Sequence, residues 1–325
     1  MGRKEEPLVK YYEDAEHFAE LMNGWLYAGH RVLTSEQVHT RNIRYTGKTG
    51  KGRATRYRSR YRDIVKYVDG LHIRLVMGTE IQTYIDYAMT VRMMDYDAVD
   101  YTEQMEEIRH SRESVPKENP LSVLRKTDRL TPILNLVLYL GEKPWDAENH
   151  LHGILDMEKV PEQLRTYIPD YNIKVLDIRR MPDERLLEFP DDIACMFLII
   201  KYEKDASMLR TVMQGISAFR NMGEDAYDTV WHFVSDRRML EQSIHMEKEN
   251  GGVNMCKAID DIYAEGKAEG KAGEIGIIRR MYERNMKTKA AAELLGFSDS
   301  YIMRIYSMFR DYPEENDMQI AARSL

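Results

Sequence analysis

Two acidic residues stand within apolar stretches of the sequence, where a carboxylate is unexpected. Asp63 precedes Ile-Val-Lys-Tyr-Val, and Glu80 follows Leu-Val-Met-Gly-Thr. An ionised carboxylate is costly to bury unless a cation or hydrogen-bond donors compensate its charge. Gln82 lies two residues beyond Glu80, and in a strand both side chains would point to the same side. Because Mg²⁺ binds a few carboxylates and keeps several waters, this set could form a magnesium site.

The two acids lie at opposite ends of one predicted β-hairpin. Residues 61–68 and 71–82 are rich in Val, Ile, Leu and Tyr, and Asp69-Gly70 between them is a strong turn signal. The two outer ends of such an antiparallel pair are neighbours. An ideal turn at Asp69-Gly70 nevertheless sets Asp63 opposite Val76, four residues short of the second acid. The sequence therefore predicts a bulge, a longer loop or strong twist in this hairpin.

A basic segment precedes the hairpin. Residues 37–62 contain no Asp or Glu, and residues 56–62 alternate arginine with other residues at strand spacing. A stripe of arginines is typical of sequence-independent binding to phosphates, although a solvated strand face gives the same pattern. The candidate nucleic-acid contacts are Arg53, Arg56, Arg58, Arg60 and Arg62.

The remaining periodicity predicts both helices and strands, and hence an α/β (α+β) fold. Apolar residues recur at helical spacing in residues 13–27, and residues 83–110 also read as a long helix. Residues 132–140 and 172–178 are typical of strands. Residues 183–249 are mostly helical in pattern. The predicted breaks in this region lie near Pro190, Asp205 and Gly223.

The C-terminal part has a different composition. Residues 265–276 are rich in Gly, Lys and Glu and predict a solvated helical connector. Residues 287–309 show a helix, a Gly-Phe-Ser turn and a second helix, as in a helix-turn-helix, although helical hairpins that bind no DNA share this pattern. The predicted domains are a core at 1–220, a helical extension and connector at 221–285, and a helix-turn-helix-like module at 286–325.

Composition restricts the class of protein. The chain of 325 residues has only two cysteines, which excludes a disulfide framework and fits a reducing cytoplasm. The longest apolar run, Ile193–Ile200, has eight residues, far fewer than the roughly 20 that span a bilayer. The N-terminus has no apolar segment typical of a signal peptide. We therefore expect a cytoplasmic protein with no membrane partner. The net charge of −7 argues against a general polyanion binder.

The hairpin residues carry a resemblance to a known family. Tyr61-Arg62-Asp63, followed by the segment from Glu80 to Arg92, resembles the recombination-promoting nuclease and putative transposase family of bacteria, a branch of the PD-(D/E)XK nuclease superfamily. The similarity continues through Tyr96-Asp97-Ala98 and covers most of residues 10–260. It implies a PD-(D/E)XK restriction-endonuclease-like core, which is a mixed β-sheet flanked by helices, with a helical C-terminal extension.

The resemblance also implies roles for individual residues. Asp63 and Glu80 would bind Mg²⁺ or Mn²⁺, and Glu20 corresponds to an acid that some superfamily members add to the metal site. Gln82 stands in place of the superfamily's lysine. Its amide can orient a water or a phosphate but carries no charge. Ile81 departs from the Asn or His that the family usually has there, and its backbone carbonyl could still face the metal.

The implied function is a metal-dependent endonuclease that cleaves DNA and is associated with recombination or mobile elements. An alternative is a catalytically inactive nuclease fold that binds DNA without cutting it, because Gln82 cannot replace a lysine's charge. A third reading is a structural oligomer organised by the C-terminal helices. The expected partners are DNA and, through those helices, further copies of the chain.

Overall fold

The computed structural model describes residues 5–40, 47–49, 56–58, 62–70, 73–111, 124–234 and 252–324. Contacts divide the chain into two compact units. The first unit comprises residues 1–243 and 247–253, and the second comprises residues 244–246 and 254–325. The predicted domain boundary at 285/286 falls inside the second unit.

The first unit contains helices and strands in mixed order. Its helices are α1 Glu6–Glu13, α2 Ala15–Tyr27, α3 Met89–His110, α4 Leu151–Ile154, α5 Glu162–Arg165, α6 Asp183–Leu186, α7 Asp191–Tyr202, α8 Ala206–Gly215 and α9 Glu224–Val234. Its strands are β1 Val38–Thr40, β2 Gly47–Thr49, β3 Arg56–Arg58, β4 Ile64–Gly70, β5 Ile73–Gln82, β6 Ile133–Tyr139, β7 Val175–Asp177, β8 Met222–Gly223 and β9 Gly252–Val253. Pro190 and Asp205 are the N-cap residues of α7 and α8, and Gly223 lies in β8, so the predicted helix breaks are confirmed.

A five-stranded mixed sheet forms the centre of this unit, in the order β1-β4-β5-β6-β7. The first three strands in this order pair antiparallel, whereas β5, β6 and β7 run parallel. Helix α3 lies in the connection from β5 to β6, as a parallel crossover requires. This arrangement confirms the expected mixed β-sheet flanked by helices.

The register of the central hairpin differs from the predicted one. Strand β4 continues through Asp69-Gly70, and the last pair is Gly70 with Ile73. Two residues, 71 and 72, therefore connect the strands, two positions later than the turn signal suggests. Because Ile64 pairs with Thr79, continuing the register sets Asp63 opposite Glu80. The bulge or longer loop predicted for this hairpin is not needed, and that prediction was wrong.

Strand β5 is covered on both faces. Every residue from Val76 to Gln82 is buried, whereas β4 alternates between buried and half-exposed residues from Ile64 to Asp69. Continuous burial is typical of a strand enclosed by helices or loops on both sides. Glu80 and Gln82 therefore lie in the interior of the unit, at the end of its central strand.

The second unit is a set of four helices around its own apolar core. They are α10 Met255–Glu283, α11 Thr288–Leu295, α12 Asp299–Asp311 and α13 Asp317–Ser324. Gly296 ends α11 in a left-handed conformation with φ of 72°, and the Ser298 side chain caps α12. The predicted helix, Gly-Phe-Ser turn and second helix are confirmed. The predicted connector at 265–276 is part of α10.

No helix in the described ranges combines the length and the apolar character needed to cross a bilayer.

A buried network of polar side chains holds the start of β4 against α3. The Arg62 guanidinium donates to Asp97 and to Asp100, and its side chain is only 2% exposed. Asp97 also accepts hydrogen bonds from Asn135 Nδ2 at 2.6 Å and Tyr171 Oη at 2.5 Å. Gly78 leaves the space for this arginine, because a Cβ there would lie 2.7 Å from the Arg62 Cδ.

These contacts correct the expectation that Arg62 binds nucleic acid. A guanidinium that is 2% exposed and already bound by two carboxylates has no accessible donor for a phosphate. Arg62 instead fixes the backbone directly before Asp63.

We predict that Arg62→Met lowers the free energy of unfolding by about 3–5 kcal/mol, because it leaves Asp97 and Asp100 without their cation. Arg74→Met is the matched control, since Arg74 pairs with Asp69 on the surface with 59% of its side chain exposed. Urea unfolding measures both variants. A loss no larger for Arg62→Met than for Arg74→Met would show that the network does not stabilise the fold.

Candidate active site

The site is built around the carboxyl groups of Asp63 and Glu80. The β4–β5 register sets them opposite each other, and they are close enough to influence each other's pKa. The backbone N–H of Ile81 donates to Asp63 Oδ2 at 2.8 Å. Two carboxylates this close repel each other, and either a proton on one of them or a bound cation relieves that repulsion.

Burial raises the pKa of both groups, and the proximity of Asp63 raises that of Glu80 further. Glu80 is only 1% exposed, and loss of hydration is the largest cause of its raised pKa, followed by repulsion from Asp63. Burial also raises the pKa of Asp63, although the hydrogen bonds from Glu80 and Ile81 oppose that shift. The protein thus holds two acids in a position where both are ionised only at a cost.

Arg92 of α3 binds the outer side of the acid pair. Its Nη2 donates to Glu80 Oε1 at 3.1 Å and to Tyr96 Oη at 3.2 Å, and its Nη1 donates to Asp86 Oδ2 at 2.6 Å. Arg92 and Tyr96 are one helical turn apart, so the helix places both beside Glu80. The guanidinium compensates part of the charge of the site and restrains Glu80.

Gln82 lies at the end of β5, two residues beyond Glu80. The residue is buried, and its Oε1 has no hydrogen-bond partner among the described residues. A buried amide oxygen without a partner is costly, which indicates a position for a ligand, an ion or a water.

These residues line a cavity of about 910 Å³. Helix α1, which the sequence analysis did not predict, forms one wall of it. The lining residues are Glu5, Glu6, Val9, Lys10, Glu13, Arg62, Asp63, Glu80, Ile81, Gln82, Tyr84, Arg92 and Tyr96. Five of them are acidic and three are basic.

Glu5 fixes the start of α1 to the end of β5. Its Oε1 accepts hydrogen bonds from the Thr83 backbone N–H at 3.1 Å and from the Thr83 hydroxyl at 2.6 Å. Its charge also contributes to the raised pKa of Asp63. Helix α1 therefore brings an additional acid to the site.

The expectation that Glu20 belongs to this site needs correction. Glu20 does not line the cavity, and the charged groups around it are His17, Asp192, Glu16 and Arg31. The acids that the α1 segment adds to the cavity lining are Glu5, Glu6 and Glu13.

The arginine stripe is only partly described. Arg56 and Arg58 lie in β3, which pairs antiparallel with β2 in a separate two-stranded sheet. Arg53 and Arg60 fall outside the described residues. A nucleic-acid role for these four arginines stays a prediction.

A comparison with protein families identifies the central part of the chain. The family described as putative transposase, YhgA-like, matches residues 72–226, just under half of the sequence. The matched segment contains Glu80, Gln82 and Arg92, whereas Asp63 and α1 precede it, so their place in the site rests on the geometry. No curated protein and no solved structure matches the chain.

The sequence analysis missed the contributions of α1. Helical spacing in residues 6–13 sets Glu6, Lys10 and Glu13 on one side, opposite buried Leu8 and Tyr12, and this pattern could have revealed the helix. No sequence signal assigns that polar side to the acid pair, because the two are joined only by tertiary packing.

We predict that the stability of the cation-free protein falls as the pH rises. The folded protein holds a proton on Glu80, whose pKa rises from 4.5 to about 8, more tightly than the unfolded chain does. The free energy of unfolding should therefore decrease from about pH 5 to about pH 8. Glu80→Gln, which keeps the shape of the protonated acid, should weaken this decrease.

Urea unfolding in EDTA at several pH values measures this dependence. Glu162→Gln, at an exposed position outside the cavity, is the control. An equal slope with pH in wild type and Glu80→Gln would contradict the prediction.

Proposed function

We propose that this protein is a Mg²⁺-dependent DNA endonuclease whose active site contains Asp63, Glu80 and Gln82. The observation that carries the proposal is the pair of acids that the β4–β5 register sets opposite each other, in a cavity lined by more acids than bases. A site arranged in this way binds a divalent cation favourably, because the cation offsets the negative charge that burial makes costly.

The donor atoms fit a magnesium ion. No group of three or more His, Cys, Asp or Glu side chains suited to a metal occurs in the described ranges. Mg²⁺ needs no such group, because it is commonly held by one or two carboxylates and keeps several waters. Asp63 and Glu80 would supply the carboxylates, and the unpartnered Oε1 of Gln82 offers a further oxygen to the ion or to one of its waters.

When bound, the ion would supply an activated water and offset the negative charge that develops on the phosphate oxygens. The chain's own groups would hold the ligands in place. The Ile81 N–H orients the Asp63 carboxylate, and Arg92 restrains Glu80. Gln82 would orient a water or a phosphate oxygen.

DNA is the proposed substrate on two grounds. The family that matches residues 72–226 is described as a putative transposase family, which associates the chain with mobile elements. In addition, residues 37–62 contain nine basic residues and no acid, so they could bind the phosphate backbone without sequence preference.

A plasmid-nicking assay tests the proposal. We expect wild type to nick DNA in Mg²⁺ or Mn²⁺ but not in EDTA. Asp63→Asn and Glu80→Gln should lower the rate at least about 100-fold, because each removes a charged ligand of the ion. Asp69→Asn, at the opposite end of β4, should cleave like wild type. Metal-dependent cleavage by the Asp63→Asn/Glu80→Gln double variant would refute the assignment.

The main alternative is a protein of this fold that binds DNA without cutting it. The uncharged Gln82 in the lysine position favours this alternative. It would be supported by salt-dependent DNA binding together with no cleavage by wild type or by Gln82→Lys in either metal ion.

We also propose that the second unit drives self-association. Leu294 of α11 and Met303 of α12 are 67% and 52% exposed, and burying these apolar side chains against a second copy would stabilise an oligomer. Light scattering should show a smaller species for Leu294→Ser/Met303→Ser than for wild type. An unchanged mass, or a monomeric wild type, would contradict this.

A further inference from the structure

We infer that Lys10 of α1 supplies the positive charge that Gln82 cannot, by contacting the phosphate that enters the Asp63/Glu80 cavity. This inference rests on the proposed function, and it extends the site to an element that no family match or motif assigns. The residue would act on the substrate directly, as a cation in the lining of an acidic cavity.

The charges around the cavity single out this lysine. Three basic residues line it, namely Lys10, Arg62 and Arg92. Arg62 is bound by Asp97 and Asp100, and Arg92 is bound by Glu80 and Asp86. Lys10 is exposed and forms no ion pair with another described residue. Among the described residues of the cavity, it is therefore the cation that remains available to a phosphate.

The fold holds α1 firmly enough to make this role specific. At the start of the helix, Glu5 binds Thr83, the residue directly after Gln82. At its end, Lys66 of β4 donates from Nζ to the Glu13 carbonyl at 2.6 Å. Lys10 therefore lies between two attachments, one to each part of the hairpin that carries the acids. A cation on a rigid element is positioned more reproducibly than one on a loop.

Lys10 forms no ion pair although two glutamates of its own helix lie nearby. Glu6 and Glu13 are four and three residues away on the same side of α1, at spacings where ion pairs form readily. Lys10 pairs with neither of them in this structure. An ammonium group on a flexible four-carbon chain can reach a phosphate as a point charge, which is how lysine commonly binds phosphates.

A purely structural role for Lys10 predicts a different outcome. The residue lies in the last turn of α1, where a cation interacts favourably with the helix dipole. Loss of that interaction would change stability but not the salt dependence of DNA binding. The two roles are therefore separable by measurement.

The test uses the full-length chain and four variants. Lys10→Met removes the charge, and Lys10→Arg keeps it. Lys10→Met/Gln82→Lys moves it to the superfamily's position. Lys159→Met removes an exposed lysine that does not line the cavity. Binding of a fluorescent DNA duplex is measured in Ca²⁺ across a range of salt concentrations, and nicking is measured in Mg²⁺.

We expect Lys10→Met to lower the slope of log affinity against log salt by about one and to slow nicking about 100-fold. Lys10→Arg should keep the wild-type slope, and Lys10→Met/Gln82→Lys should recover nicking. Equal slopes and equal nicking rates for Lys10→Met and Lys159→Met would overturn the inference. If wild type does not nick but Lys10→Met still lowers the slope, the phosphate contact stands and the endonuclease proposal fails.

Discussion

Repulsion between two buried carboxyl groups is the constraint on which the site depends. Asp63 and Glu80 face each other because the β4–β5 register sets them in opposite positions, and burial makes their joint ionisation costly. The protein lowers this cost with the Ile81 N–H and the Arg92 guanidinium but does not remove it. The free energy that remains unfavourable when both acids are ionised favours the binding of a cation. The same negative charge disfavours the binding of a phosphate in the absence of a cation.

The surrounding fold keeps this repulsion from separating the strands. Arg62, the residue before Asp63, binds two acids of α3. Thr83, the residue after Gln82, binds Glu5 at the start of α1. Each contact acts within three residues of the acid pair. Helix α3 and the start of α1 therefore restrain the two strand ends, while the interior of the hairpin is held by ordinary backbone pairing.

The sequence predicted the acids and the strands but not their alignment. Asp69-Gly70 is a favourable turn pair, yet tertiary packing extends β4 through it. Alternation cannot separate the two registers, because a shift of two residues leaves every side chain on the same face. Arg62 shows the same limit, since its spacing matches a surface stripe while Asp97 and Asp100, 35 and 38 residues away, bury it. For the same reason, the sequence did not reveal that Glu5 lines the cavity and Glu20 does not.

The pairing of β4 with β5 limits how the connection between them can change. Surface loops usually tolerate insertions and deletions. Here an insertion that shifted the β4–β5 pairing by one position would turn one of the acids to the other face of the sheet. The chemistry at the far end of the hairpin therefore constrains its register, and an inserted residue is tolerated only where the connection absorbs it. Related sequences that keep the site should preserve this pairing while the connection varies in composition.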